Sequence, residues 1–176
     1  MNITYIIARR VLISLLALSL MMGLSQMSFA DVLPTPTGKV LLTVSGNISL
    51  ANSDSGAQFD YAMLSELGLV DKKIATHWTG PDNVFTGVLT RDLMTLVGAK
   101  GNWIRAVAAN DYSVNFPLTD LTRFETMFGL SQNGQRLKLR DKGPLWLLYP
   151  NDSRPDELDS TINKRMIWQL KSLHIQ

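Results

Sequence analysis

Alternating polar and apolar residues predict a series of short strands along the chain. The first strand is expected over residues 39–50, where Gly46 marks a bulge or turn. Asn110-Asp111 has turn chemistry and joins two strands into a hairpin, and Asn133-Gly134 is a second turn signal. The remaining strands are predicted over residues 73–78, 103–109, 112–116, 135–140 and 145–149.

Four short helices are predicted between these strands, over residues 59–67, 90–98, 120–129 and 160–170. Thr90 and Asp120 are the expected N-caps of the second and third helices. Gly68, Gly98 and Gly129 are the expected stop signals. Because strands and short helices alternate without a regular βαβ rhythm, the sequence predicts an α+β fold with mixed, largely antiparallel sheets.

The first 30 residues have the three parts of a cleavable secretory signal peptide. Arg9 and Arg10 provide the positive region, an apolar run follows, and Ser28-Phe29-Ala30 is a small-x-small cleavage site. We expect cleavage after Ala30, then a flexible leader over residues 31–38 and one domain over residues 39–176. A retained membrane anchor is the alternative, but an apolar run of about 14 residues is shorter than the roughly 20 that span a bilayer. The expected location is the periplasm, without direct membrane insertion after cleavage.

The composition of residues 31–176, which follow the predicted signal peptide, limits the functions that this part of the chain can have. The chain has 17 Lys and Arg against 15 Asp and Glu, and two of the basic residues lie in the first 30, which hold no acid. The exported part is therefore neutral and lacks the basic excess of a nucleic-acid-binding protein. The absence of cysteine excludes disulfides, thiolate metal sites and cysteine nucleophiles. Since the chain has two histidines, His77 and His174, we expect no metal site.

Five short strings follow one another in an order that is similar to that of a known family. They read FTGVL at residues 85–89, RDLM at 91–94, ANDYS at 109–113, NG at 133–134 and KGPLWLLYP at 142–150. In this order they resemble the motifs of sulfite-oxidase-type molybdopterin-binding domains. The resemblance covers roughly residues 40–172 and implies the fold of that family.

Three departures from the family concern its metal ligand and the basic residues that would hold the cofactor's phosphate and an oxyanion substrate. In the enzymes a cysteine in the loop before the first motif binds molybdenum, whereas this loop reads THWTGP at residues 76–81. The family's arginine after the Gly-x-Pro step is Trp146 here, and its later lysine-rich loop reads NDSRP at residues 151–155. A histidine does not replace a soft anionic thiolate. We therefore expect no molybdenum and no catalytic residues; a molybdenum-cofactor oxidoreductase with an unusual ligand set is the alternative.

A smaller branch with this fold resembles the chain more closely. Its members are small periplasmic pterin-binding proteins that lack the molybdenum ligand. They partner the periplasmic part of membrane-bound diguanylate cyclases and phosphodiesterases. The resemblance implies a non-catalytic sensor or adaptor that binds a pterin and regulates cyclic-di-GMP signalling. A protein-only periplasmic interaction module is a further alternative.

The resemblance also implies which residues would bind the pterin. Trp78 is the expected stacking partner of the flat ring, and His77 could donate to a pterin carbonyl. Asp111 could accept two hydrogen bonds from the amide-amidine edge of the ring, and Tyr112 lies beside it. The other candidates are charged or aromatic residues near the family's cofactor mouth, namely Arg140, Asp141, Lys142, Tyr149, Asp152 and Arg154. Each of these side chains has packing or solvated surface as its alternative role, and Trp103 and Trp168 receive no role.

Overall fold

Two β-sheets contain most of the regular structure. The computed structural model describes residues 32–76, 78–80, 82–150 and 160–176, and for residues 160 and 161 it describes the backbone only. The predicted signal peptide, His77 and residues 151–159, which include Asp152 and Arg154, lie outside these ranges. Residues Leu33–Gln176 form one compact unit.

The strands and helices of this unit are short. The strands are β1 (Leu42–Gly46), β2 (Ala57–Phe59), β3 (Val70–Lys73), β4 (Val84–Leu89), β5 (Trp103–Ala108), β6 (Ser113–Pro117), β7 (Met127–Gln132), β8 (Gln135–Arg136), β9 (Trp146–Leu148), β10 (Ile167–Trp168) and β11 (Leu170–Ile175). The helices are α1 (Tyr61–Glu66), α2 (Thr90–Leu96), α3 (Asp120–Arg123) and α4 (Ser160–Asn163), with a 3-10 turn over Leu139–Asp141.

The first sheet has the strand order β2-β1-β11-β5-β6. The pairing of β1 with β11 is parallel, and the other pairings among the described strands are antiparallel. The second sheet has the order β10-β9-β7-β4-β3, with β8 paired to β7, and all of these pairings are antiparallel. The predicted α+β fold with mixed, largely antiparallel sheets and short helices is thus confirmed.

Several local predictions agree with the structure. β5 and β6 form the hairpin expected around Asn110-Asp111, and Asn133 and Gly134 turn β7 into β8 with φ of 50° and 76°. In β1, Leu42 and Val44 are fully buried and alternate with half-buried neighbours, as the polar–apolar pattern predicts. These features agree because neighbouring residues alone encode them.

The predicted third helix is wrong beyond Arg123. Glu125 takes a φ of 46°, which ends the helical path, and Met127–Gln132 becomes β7 between β4 and β9. Phe124 and Phe128 are both buried, which the helical spacing also predicts. Because a strand in the middle of a sheet is buried on both faces, its sequence does not show the polar–apolar alternation of a half-exposed strand. Gly129 does not end a helix but lies inside β7. A Cβ at this position would lie 2.9 Å from Cδ1 of Leu148 on the paired strand β9, so the close approach of the two strands favours glycine.

The predicted last helix is also wrong after Asn163. Gln169 has a φ of 51°, and the chain around it forms two strands, β10 and β11. β11 lies in the centre of the first sheet, where Leu170, Leu173 and Ile175 are buried. Antiparallel pairing of β10 with β9 therefore overrides the local pattern that favours a helix over residues 160–170.

Four smaller boundaries differ from the prediction. Phe59 belongs to β2, so α1 begins at Tyr61 with Asp60 as its N-cap. Thr90 is the first residue of α2 rather than its cap, because its hydroxyl group bonds to Thr126 instead of to the helix. The strand expected over residues 73–78 lies earlier, as the edge strand β3, and the one expected over residues 135–140 is limited to β8.

The predicted leader contacts the domain. Leu33 is 6% exposed and belongs to the main apolar core, and the Asp60 carboxylate accepts the backbone N–H groups of Thr37 and Gly38 at 3.0 and 2.7 Å. A second, smaller core surrounds Trp146 and Phe85, and the candidate site described next adjoins it. No helix within the described ranges is long and apolar enough to cross a membrane.

Candidate functional site

Three tryptophan side chains meet beside the smaller core. Trp146 of β9 and Trp168 of β10 are direct partners across the antiparallel ladder, with ring centroids 6.2 Å apart. Trp78 joins them from a loop, with its ring 4.9 Å from Trp168 in an edge-to-face arrangement and 6.2 Å from Trp146. Such geometries are favourable for aromatic pairs beyond the area that they bury.

A tight turn places Trp78. Thr76 and Thr79 form an isolated bridge, their hydroxyl groups are 2.9 Å apart, and the Trp78 backbone N–H donates to Thr76 Oγ1 at 3.1 Å. The turn leaves 38% of Trp78 exposed, whereas Trp146 is fully buried. Trp78 is therefore the member of the cluster that is held at the surface by local hydrogen bonds.

A cavity of about 300 Å³ opens next to this cluster. Its aromatic walls are Trp78, Trp168 and Tyr112, the last from the turn between β5 and β6. The remaining apolar lining comes from Ala108, Met166 and Ile167, and the polar lining from Asn110, Asn163 and Lys164. We call this cavity the aromatic pocket. Its size is at the lower end of the range for small-molecule sites, and its mainly apolar wall with a few polar groups is typical of them.

The polar groups of the aromatic pocket are two amides and one cation. Asn110 accepts the Tyr112 backbone N–H at 3.2 Å through its side-chain oxygen, which leaves its NH2 group for a ligand. The Asn163 amide makes no hydrogen bond with the rest of the described chain, so both its donor and its acceptor are available. No Asp or Glu is among the described residues that line the pocket.

A buried ion pair holds one wall of the pocket against the core. Arg165, which lies between the lining residues Lys164 and Met166, donates to Asp120 Oδ2 at 2.6 Å. The Tyr149 hydroxyl donates to the same oxygen at 2.9 Å, and Asp120 is only 3% exposed. Burial, together with the adjacent Asp120 carboxylate, raises the pKa of the Tyr149 hydroxyl far above that of an exposed tyrosine.

The structure brings two of the candidate residues, Trp78 and Tyr112, together in the aromatic pocket. Asp111 lies between the lining residues Asn110 and Tyr112 but is itself an exposed turn residue with a φ of 64°. Its carboxylate does not line the pocket, because the turn directs it to the surface.

The charged residues over 140–142 lie outside the aromatic pocket. Arg140 and Asp141 are exposed and pair with each other at 3.5 Å, as neighbours on a solvated turn do. Lys142 is half-buried, and its ammonium group lies 5.6 Å from the centroid of the Trp146 ring. Lys142 thus touches the tryptophan cluster from another side.

Tyr149 was expected near the mouth of the site, and the structure corrects this placement. The residue is fully buried in the main core, where its ring packs against Phe116 and Phe124. Its position immediately after β9 carries the side chain inward. His77, Asp152 and Arg154 lie outside the described residues.

Sequence reasoning missed Trp168, Asn163 and Lys164. The helix predicted over residues 160–170 concealed that Trp168 pairs with Trp146 across two strands. The one sequence signal that could have indicated it is the presence of an aromatic residue in each of two short apolar runs, which favours cross-strand pairing.

Among the residues that the structure describes, no three His, Asp or Glu side chains are grouped closely enough to hold a metal ion. A comparison with models of protein families found no match, and no curated protein matched the sequence significantly.

Proposed function

We propose that this protein is a non-catalytic binding module that holds a pterin in the aromatic pocket. The observation that carries the proposal is the convergence of Trp78, Tyr112 and Trp168 on one mainly apolar cavity, although they come from three separate parts of the chain. Flat aromatic walls favour a flat aromatic ligand, because stacking contributes about 1–3 kcal/mol for each base-like ring.

The amides supply the polar recognition that a pterin requires. The pyrimidine edge of a pterin presents donors and acceptors side by side, and a primary amide offers one of each. Asn163, with both groups available, is the proposed partner of this edge, and Asn110 can donate a second hydrogen bond. In this proposal the amides take the role that the resemblance implied for Asp111.

The resemblance to small periplasmic pterin-binding proteins supports a wider role. In this proposal the protein is exported to the periplasm, and its loaded form regulates the periplasmic part of a membrane-bound diguanylate cyclase or phosphodiesterase. Trp78 and Tyr112 are 38% and 52% exposed, so a bound ring would change the surface that a partner meets. Binding energy that differs between partner-bound and free states is the requirement for such regulation.

The direct test is to extract ligands from the purified protein for mass spectrometry and to titrate the emptied protein with pterin. Trp78→Ala should weaken pterin binding by about 1–3 kcal/mol, which is roughly five- to 150-fold in Kd. Trp103→Ala is the matched control, because Trp103 is 50% exposed on β5 and does not line the pocket.

A thermal melt of each variant separates binding from folding. Truncating a core tryptophan costs about 3–5 kcal/mol of stability, and the partly exposed Trp78 should cost less. Equal pterin affinity for Trp78→Ala and the unchanged protein, or no pterin binding at all, would contradict the proposal.

A further inference from the structure

A second groove shares no lining residue with the aromatic pocket. Its volume is about 490 Å³. The segment before β1, the start of α1 and the β7–β8 hairpin all contribute to its walls. We call it the Arg136 groove and define it by Lys39, Tyr61, Leu130, Arg136, Leu137 and Pro144.

Arg136 lies in this groove, where none of the described acidic residues forms an ion pair with it. Its guanidinium carbon is 3.4 Å from the centroid of the Tyr61 ring, a distance that requires face-to-face stacking. Within the described part of the chain, the side chain makes no ion pair and no hydrogen bond. Stacking on an aromatic ring holds the planar fork in one orientation and leaves its N–H donors available at the edge.

The acidic residue of the groove, Asp60, already accepts hydrogen bonds from backbone N–H groups. It is 2% exposed, and its carboxylate accepts N–H groups from Thr37, Gly38 and Met63 at 3.0, 2.7 and 3.0 Å. The Met63 and Gly38 donors hold the pKa of Asp60 below its usual range, so it stays ionised. With Lys39 and Arg136 against Asp60, the lining carries one net positive charge.

We propose that the Arg136 groove binds a small organic acid with one carboxylate on an aliphatic body. A planar guanidinium fork matches a carboxylate in a bidentate geometry. Leu130, Leu137 and Pro144 provide apolar contact for the body of the acid. A single negative charge neutralises the groove, whereas a phosphate dianion would place an uncompensated charge against apolar walls. This site is independent of the pterin proposal.

The test uses N-acetyl-leucine as the probe and its uncharged amide as the matched control ligand. We expect saturable binding of the acid, measured by NMR titration of the purified protein, with shifts at Gly38 and Tyr61. Arg136→Gln should weaken binding roughly ten- to 100-fold, since charge-assisted hydrogen bonds are lost. Arg136→Lys should recover part of that loss, because it keeps the charge but lacks the planar fork. Arg105→Gln, on the first sheet and outside the groove, should bind normally.

Four results would overturn the proposal. The first is no saturable binding, and the second is equal affinity for the acid and the amide. The third is tenfold tighter binding of a peptide that ends in leucine than of N-acetyl-leucine, which would assign the groove to a protein C-terminus. Melting curves of both Arg136 variants keep the result interpretable: normal binding by a folded Arg136→Gln would also refute the role of Arg136.

Discussion

The ion pair between Asp120 and Arg165 gives the sharpest test of how the pocket wall is held. Asp120→Ala removes the acceptor of two donors, the Arg165 guanidinium and the Tyr149 hydroxyl. Tyr149 is fully buried and would lose its partner, while the Arg165 side chain is 21% exposed and can reach some water. Both groups are therefore destabilised, but the tyrosine more completely.

The expected cost follows from these two exposures. Breaking a buried ion pair by removing one partner costs about 3–5 kcal/mol, and leaving a buried hydroxyl unsatisfied costs about 1–3 kcal/mol. Because the partial exposure of Arg165 lowers the first value and the two overlap, we expect about 3–4 kcal/mol for Asp120→Ala. At about 2–4 °C per kcal/mol for a domain of this size, the melting temperature should fall by roughly 6–16 °C.

Chemical and thermal unfolding of a small set of variants measures this value. Arg91→Ala is the control, because the ion pair between Arg91 and Glu125 is 43% and 42% exposed and should contribute about 1 kcal/mol or less. Asp120→Ala combined with Arg165→Met should cost less than the sum of the single changes, since no charge is then left unpaired. A loss for Asp120→Ala as small as that of Arg91→Ala would refute the reasoning.

Three further predictions concern pH, metal content and processing. Because folding raises the pKa of Tyr149, the unfolded chain releases this proton near pH 10 while the folded protein keeps it. The free energy of unfolding should therefore fall as the pH rises above about 10. Thermal melts at pH 9 and 11 should show a smaller fall in melting temperature for Tyr149→Phe than for the unchanged protein. Elemental analysis should find no molybdenum, and sulfite and sulfoxide turnover should stay at background; stoichiometric metal with activity would favour the enzyme alternative. N-terminal sequencing should find the protein beginning at Asp31 in the periplasmic fraction, and residues 1–30 retained in the membrane fraction would contradict this.

Features encoded by adjacent residues could be predicted from the sequence. The hairpin around Asn110-Asp111, the turn at Asn133-Gly134 and the strand character of residues 42–46 each depend on a few neighbours, and the structure agrees with them. These features required no knowledge of what packs against them.

Tertiary structure alone decided the central strands and most of the site. The helices predicted over residues 120–129 and 160–170 overlap β7, β10 and the start of β11. β7 and β11 each lie between two partner strands, and β11 pairs with β1 across more than a hundred residues of sequence. β7 is buried on both faces from Met127 to Leu130, so the period of two disappears from its sequence, and hydrogen bonding to distant strands then determines the conformation. The pairing of Trp168 with Trp146, and with it the wall of the aromatic pocket, follows from those same distant contacts.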